Sequence, residues 1–147
     1  MFTQLINLLR PEATPDQPNP GGGPLALAAL MVRLARADGH YDRTEADRIT
    51  RLLAERYRLG TDAATALRTE GERIEADAPD TVRFTRALKE AVPHEDRMSV
   101  MEALWSVALA DDARDAEEDA LMRLVASLLG INDRDSAIAR QRVQRAP

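Results

Sequence analysis

Residues 34–45 read Leu-Ala-Arg-Ala-Asp-Gly-His-Tyr-Asp-Arg-Thr-Glu, and residues 107–118 read Val-Ala-Leu-Ala-Asp-Asp-Ala-Arg-Asp-Ala-Glu-Glu. At an offset of 73 positions, Ala35, Ala37, Asp38, Asp42 and Glu45 fall on Ala108, Ala110, Asp111, Asp115 and Glu118. Apolar positions keep the same register on either side: Leu34 on Val107, Ile49 on Met122 and Leu52 on Val125. Each copy therefore reads as an apolar helix, a short acidic loop of pattern D-x-x-x-D-x-x-E, and a second apolar helix.

Working outward, the same helical spacing continues through most of the chain. Leu27, Leu30, Met31 and Leu34 form one stripe, and Ile49, Leu52, Leu53 and Tyr57 form the next, with a stop expected at Gly60. A polar, alanine-rich segment spans 62–77, and a break is expected at Pro79. Val82, Leu88 and Val92 lie on a short helix that ends before Pro93. Met98, Met101, Leu104, Trp105 and Ala108 make a strong stripe, and Leu121, Leu124, Val125, Leu128 and Leu129 recur at helical spacing up to Gly130. A last helix starts at Asp133. No window alternates as a strand would, so the class is all-α, with about seven helices in two pseudo-symmetric helix–acidic loop–helix units.

Three regions divide the chain. Residues 1–10 are a short amphipathic segment carrying Phe2, Leu5, Ile6, Leu8 and Leu9; its readings are docking on the domain or a peripheral membrane or partner contact. Residues 11–24 hold five prolines and Gly21, Gly22 and Gly23, and read as a linker. Residues 25–147 form the helical domain.

Composition removes whole classes of chemistry. Among 147 residues there is no cysteine, which excludes disulfides, zinc ribbons and thiol nucleophiles, and only two histidines, His40 and His94. The net charge of −5 argues against nucleic acid as a partner. No apolar run spans a membrane, and no secretion signal is read, so a cytoplasmic location is expected, with the inner face of the membrane as the other place residues 1–10 allow. Ser99, Ser106, Ser127 and Ser136 carry no nucleophile motif, and Gly21-Gly22-Gly23 follows no strand, so no enzyme is expected. Trp105, Met98, Met101 and Met122 read as core.

The acidic loops remain. Asp42 with Glu45, and Asp115 with Glu118, fit a capping box in which the aspartate accepts a free N–H at the helix start. Asp38, Asp111 and Asp112 are different, because they stand at helix C-termini, where an acid is unfavourable by ~0.3–1 kcal/mol. Six acids and Arg114 give residues 111–119 a local charge of −5, equal to that of the whole chain. Such oxygen donors suit a hard cation, Ca²⁺ or Mg²⁺, and they suit a basic protein surface equally. Residues 38–45 also match the back half of an EF-hand loop, but Leu34 and Arg36 stand where its first ligands belong, so an EF-hand is rejected. Arg140, Arg142 and Arg145 read as a solvated end that could pair with an acidic loop of a second copy, which leaves a homodimer open.

At these loops the chain resembles the TerB family, the tellurite-resistance-associated domain also found at the front of some membrane-anchored DnaJ-type co-chaperones. The resemblance is carried by residues 35–39 with Glu45, and by residues 108–112 with Glu117, Glu118 and the apolar run to Ile131. It implies about seven helices with internal pseudo-twofold symmetry and a non-enzymatic role in bacterial stress, metal-ion or tellurite-related systems, with protein partners. It also implies a divalent-cation or partner site at Asp38, Asp42, Glu45, Asp111, Asp115 and Glu118. Asp112 replaces the glycine of the first loop, and its carboxylate adds to the candidate cation set.

Overall fold

The computed structural model describes residues 22–37, 41–77, 81–110 and 116–145. Their elements are α1 (Gly22–Arg36), α2 (Arg43–Tyr57), α3 (Thr61–Asp77), α4 (Val82–Ala91), a 3₁₀ turn (His94–Asp96), α5 (Arg97–Ala108), α6 (Ala116–Leu128) and α7 (Asp133–Arg145). Among the described residues the chain is all-α, as expected. No helix of these residues is long and apolar enough to cross a membrane. The amphipathic segment 1–10 and residues 11–21 of the linker lie outside the described residues.

Helix α1 begins at Gly22, earlier than the expected Leu25. Pro24 lies in the first turn, where its missing N–H has no intrahelical acceptor to lose and its fixed φ suits the helix. The spacing suggested a stripe on α1, but Leu25 to Val32 are all buried, and so are Leu34 and Ala35. A helix apolar on every side belongs inside. α1 accordingly packs against α2, α3, α4, α5 and α6.

The contact of α1 with α3 is made close by Gly71. A Cβ placed there would lie 2.8 Å from the Ala28 Cβ and 3.0 and 3.1 Å from the backbone of Ala28 and Ala29. The same helix pair is tied by charge. Arg33 Nε donates to Glu75 Oε2 at 3.2 Å, its Nη2 to the Glu75 carbonyl at 3.3 Å and its Nη1 to Thr81 Oγ1 at 3.4 Å. Arg36 Nε lies 3.5 Å from the other Glu75 oxygen, and the Arg33 guanidinium sits 5.4 Å from the centre of the Phe84 ring.

The repeat extends further than the acidic loops. α1 corresponds to α5, α2 to α6, and α3 to α7, with α4 between the two triplets. The register is 73 through the second helices, where buried Ile49 and Leu53 match buried Met122 and Ala126. It becomes 72 after them. α2 and α6 end alike, with a left-handed residue (Arg58, φ 55°; Gly130, φ 79°) and a backbone N–H reaching back five residues (Leu59 to the Ala54 carbonyl at 3.0 Å, Ile131 to the Ala126 carbonyl at 2.8 Å). Buried Leu67 then matches buried Ala139. The stop of α2 is thus Arg58, not Gly60, which sits just before α3.

Two expected core positions face solvent. Val82 is 41% exposed and Leu124 45% exposed, because the inward face of α4 is Phe84, Ala87 and Leu88, and that of α6 is Met122, Val125, Ala126 and Leu129. Trp105, Met101 and Met122 are buried as expected, and Met98 is half-buried against them.

Gly71→Ala tests the close approach. Alanine gains roughly 1 kcal/mol in helix propensity over glycine, but overpacking against backbone costs about 1–3 kcal/mol. The expected outcome is a net loss of stability in urea unfolding, relieved when Ala28→Gly is added. An unchanged or raised midpoint in the single variant contradicts the packing reading.

Candidate functional site

The first acidic loop leaves α1 at Arg36 and enters α2 at Arg43. Arg33 and Arg36 occupy the last turn of α1, where positive charge offsets the helix's negative end. Asp42 is extended (φ −107°, ψ −176°), and its Oδ1 accepts from the Glu45 N–H at 3.0 Å. Asp42 is therefore the N-cap of α2, exposed to solvent, with one carboxylate oxygen committed to the backbone. Glu45 is half-buried in the first turn.

Tyr41 anchors the loop to α3. Its hydroxyl donates to Glu72 Oε2 at 2.5 Å, and Arg68 Nη1 donates to the same oxygen at 2.6 Å. Arg68 Nε also donates to Thr50 Oγ1 at 2.8 Å, and the Thr50 hydroxyl donates to the Ala46 carbonyl at 3.1 Å. On its other side the Tyr41 ring meets the Arg36 guanidinium at 5.1 Å. Beside this network lies an open depression of about 340 Å³ lined by Tyr41, Asp42, Arg43, Ala46, Asp47 and Arg68.

Burial pushes the Tyr41 hydroxyl well above the ordinary phenol range, and the bond to Glu72 and its charge push it further, while Arg68 opposes them. Burial also raises Tyr57, against the adjacent Arg56.

The second loop leaves α5 at Ala108, whose last turn carries no basic residue. Asp38, Asp111, Asp112 and Asp115 lie outside the described residues; Glu118 belongs to α6, but its side chain is likewise outside them. Of the seven predicted ligands, Asp42 and Glu45 are thus the ones the structure places, and it places them as a helix start. Among the described residues no three His, Asp or Glu side chains converge as ion ligands.

Sequence reading missed the Tyr41–Glu72–Arg68–Thr50 network. The spacing of Arg68 and Glu72, four apart on one helix, is a visible signal. The reach from Tyr41 across 31 residues carries none.

A family model described as tellurite resistance protein TerB matches residues 24–141. Comparison with curated proteins and with solved structures gave no match.

The raised tyrosines fix a sign. A group whose folded pKa exceeds its unfolded value stabilises fully below the unfolded value, about pH 10 for tyrosine, and loses that contribution as pH rises through the folded value. Urea midpoints are expected to fall above about pH 10, and Tyr41→Phe to make that fall shallower, with Tyr57 supplying the remainder. At neutral pH the same variant should cost about 1 kcal/mol for the lost hydrogen bond. A fall of equal steepness in the variant contradicts the assignment to Tyr41.

Proposed function

Because the chain belongs to the TerB family, we propose that it is a non-enzymatic module that binds a divalent cation, Ca²⁺ or Mg²⁺, through its two acidic loops. In this reading it serves a stress- or tellurite-related or envelope-linked protein assembly in the cytoplasm, or at the inner membrane face where residues 1–10 engage lipid. The observation that carries the reading is the repeat itself. In sequence the pattern Asp38, Asp42, Glu45 and its copy Asp111, Asp115, Glu118 lead into equivalent helices, α2 and α6, in two triplets whose cores are filled largely by different side chains.

The cap at Asp42 is compatible with a ligand role. One oxygen serves the Glu45 N–H, and the carboxylate is exposed, so the other oxygen is accessible to an ion. Few ligands suit weak binding, of the order of 10⁻⁴–10⁻³ M. Asp112 adds a further carboxylate to the second loop.

A second reading has its own support. The charge of −5 over residues 111–119 attracts a basic protein surface without any ion. The two readings differ in what a cation does.

Titration with Ca²⁺ and with Mg²⁺, followed by amide shifts, separates them. Saturable shifts confined to residues 38–45 and 111–118, weakened by Asp38→Asn and by Asp111→Asn, are expected. Saturation at about ten times Kd should stabilise the fold by about 1.4 kcal/mol. Absence of loop shifts at millimolar cation, with partner capture lost on Asp111→Asn regardless of cation, selects the second reading and removes the first.

A further inference from the structure

The two triplets differ most where α6 meets α7. α2 and α3 pack closely, whereas α6 touches α7 far less. Between α6 and α7 lies a cleft of about 200 Å³, with Trp105 of α5 at its base. Trp105 stands at the repeat position of Val32. Its indole Nε1 donates to Ser136 Oγ at 3.2 Å, which holds the ring against α7. Met122 and Ala126 extend the apolar wall.

Arg140 enters this cleft from α7, at the repeat position of Arg68. Arg68 is satisfied internally by Thr50 and Glu72. Both of those acceptors are lost in the second triplet. The position of Thr50 holds Arg123, a second cation lining the cleft, and the position of Glu72 holds Gln144. The Arg140 guanidinium instead lies 5.6 Å from the centre of the Trp105 ring. Its Nε is buried with no hydrogen-bond partner. Asp119 and Asp133 line the same cleft, yet among the described residues neither Arg140 nor Arg123 has a carboxylate within ion-pair distance.

We propose that the cleft between α6 and α7 binds a small organic carboxylate, held by Arg140 and Arg123 over the Trp105 floor. A guanidinium stacked on a ring keeps its N–H edge for a planar, bidentate acceptor, which a carboxylate supplies. Asp133 on the same lining adds like charge, which weighs more against a phosphate dianion than against a carboxylate of one negative charge. The volume exceeds the ~150 Å³ of a cavity known to hold benzene, so the cleft has room for a small organic acid. This site uses none of the acidic-loop residues and stands whether or not the loops hold a cation.

Trp105 is the single tryptophan, so its indole N–H gives one resolved NMR signal at the floor of the cleft. Benzoate titrated into the full chain at constant ionic strength is expected to move that signal saturably. Benzamide, its neutral analogue, and inorganic phosphate should not. Arg140→Gln should weaken benzoate by at least about tenfold, and Arg123→Gln by less. Gln144→Glu restores the acidic partner that Arg68 has in Glu72, and should weaken benzoate by occupying Arg140 from within. This exposed replacement keeps the test valid if Arg140→Gln disturbs the fold, which circular dichroism reports. No saturable shift with benzoate overturns the proposal, as does equal affinity in Gln144→Glu, or a shift from phosphate or benzamide as large as that from benzoate.

Discussion

Burial of α1 on every side is the constraint on which the remaining structure depends. A helix with no solvated face must be enclosed, and five other helices do so. Enclosure needs small residues at the tightest crossing, which Ala28, Ala29 and Gly71 provide. It also needs an exit for the polar end of the helix. Arg33 and Arg36 supply it by reaching Glu75, a carboxylate only 9% exposed. Removing such a carboxylate from water is costly, and the cost is offset here by two guanidinium groups aimed at its separate oxygens. The pair sits in the last turn of α1, so its positive members also counter the helix dipole.

α1 belongs to one copy of the three-helix unit and is enclosed by helices of both, and this asymmetry explains why the copies have diverged inside. In the first unit Val32 faces inward from α1 itself, and Arg68 fills the space between α2 and α3 with a satisfied polar network. In the second, the larger Trp105 takes the matching place on α5, and α6 and α7 stand further from contact. Backbone endings are kept while side chains change. The left-handed residue and its five-residue N–H return recur at Arg58 and Gly130, although arginine pays for that conformation and glycine does not.

The fold was largely legible in the sequence, because helical spacing and helix stops are local. The burial of Leu27, Ile49, Leu88, Met101 and Val125 follows from their spacing alone. Val82 and Leu124 misled because both sit on helices whose inward arc is set by a neighbour, and spacing cannot say which edge of a broad apolar face is covered. α7 was seen as a helix but not as a copy of α3, because a one-residue shift after the second helices moves the match from 73 to 72. The site was less legible. Asp42 was readable as a cap, since capping is a contact within three residues. The tie of Tyr41 to Glu72 and the difference between Arg68 and Arg140 depend on which helices are neighbours, and no local pattern encodes that.

Charge separates the two acidic loops further. A cation placed beside Asp42 meets the positive N-terminal end of α2, which the cap already engages. It also meets Arg36, whose guanidinium rests on Tyr41 in the same loop. Both oppose it. The last turn of α5 carries no basic residue, so the negative end of that helix is not offset from within it. Residues 111–119 then add six acids against one arginine. The repeated acids therefore stand in unequal fields, more negative at the second loop than at the first. The difference arises from Asp112, Glu117 and Asp119, which the first loop lacks, and from the arginines around the repeat, not from the repeated acids.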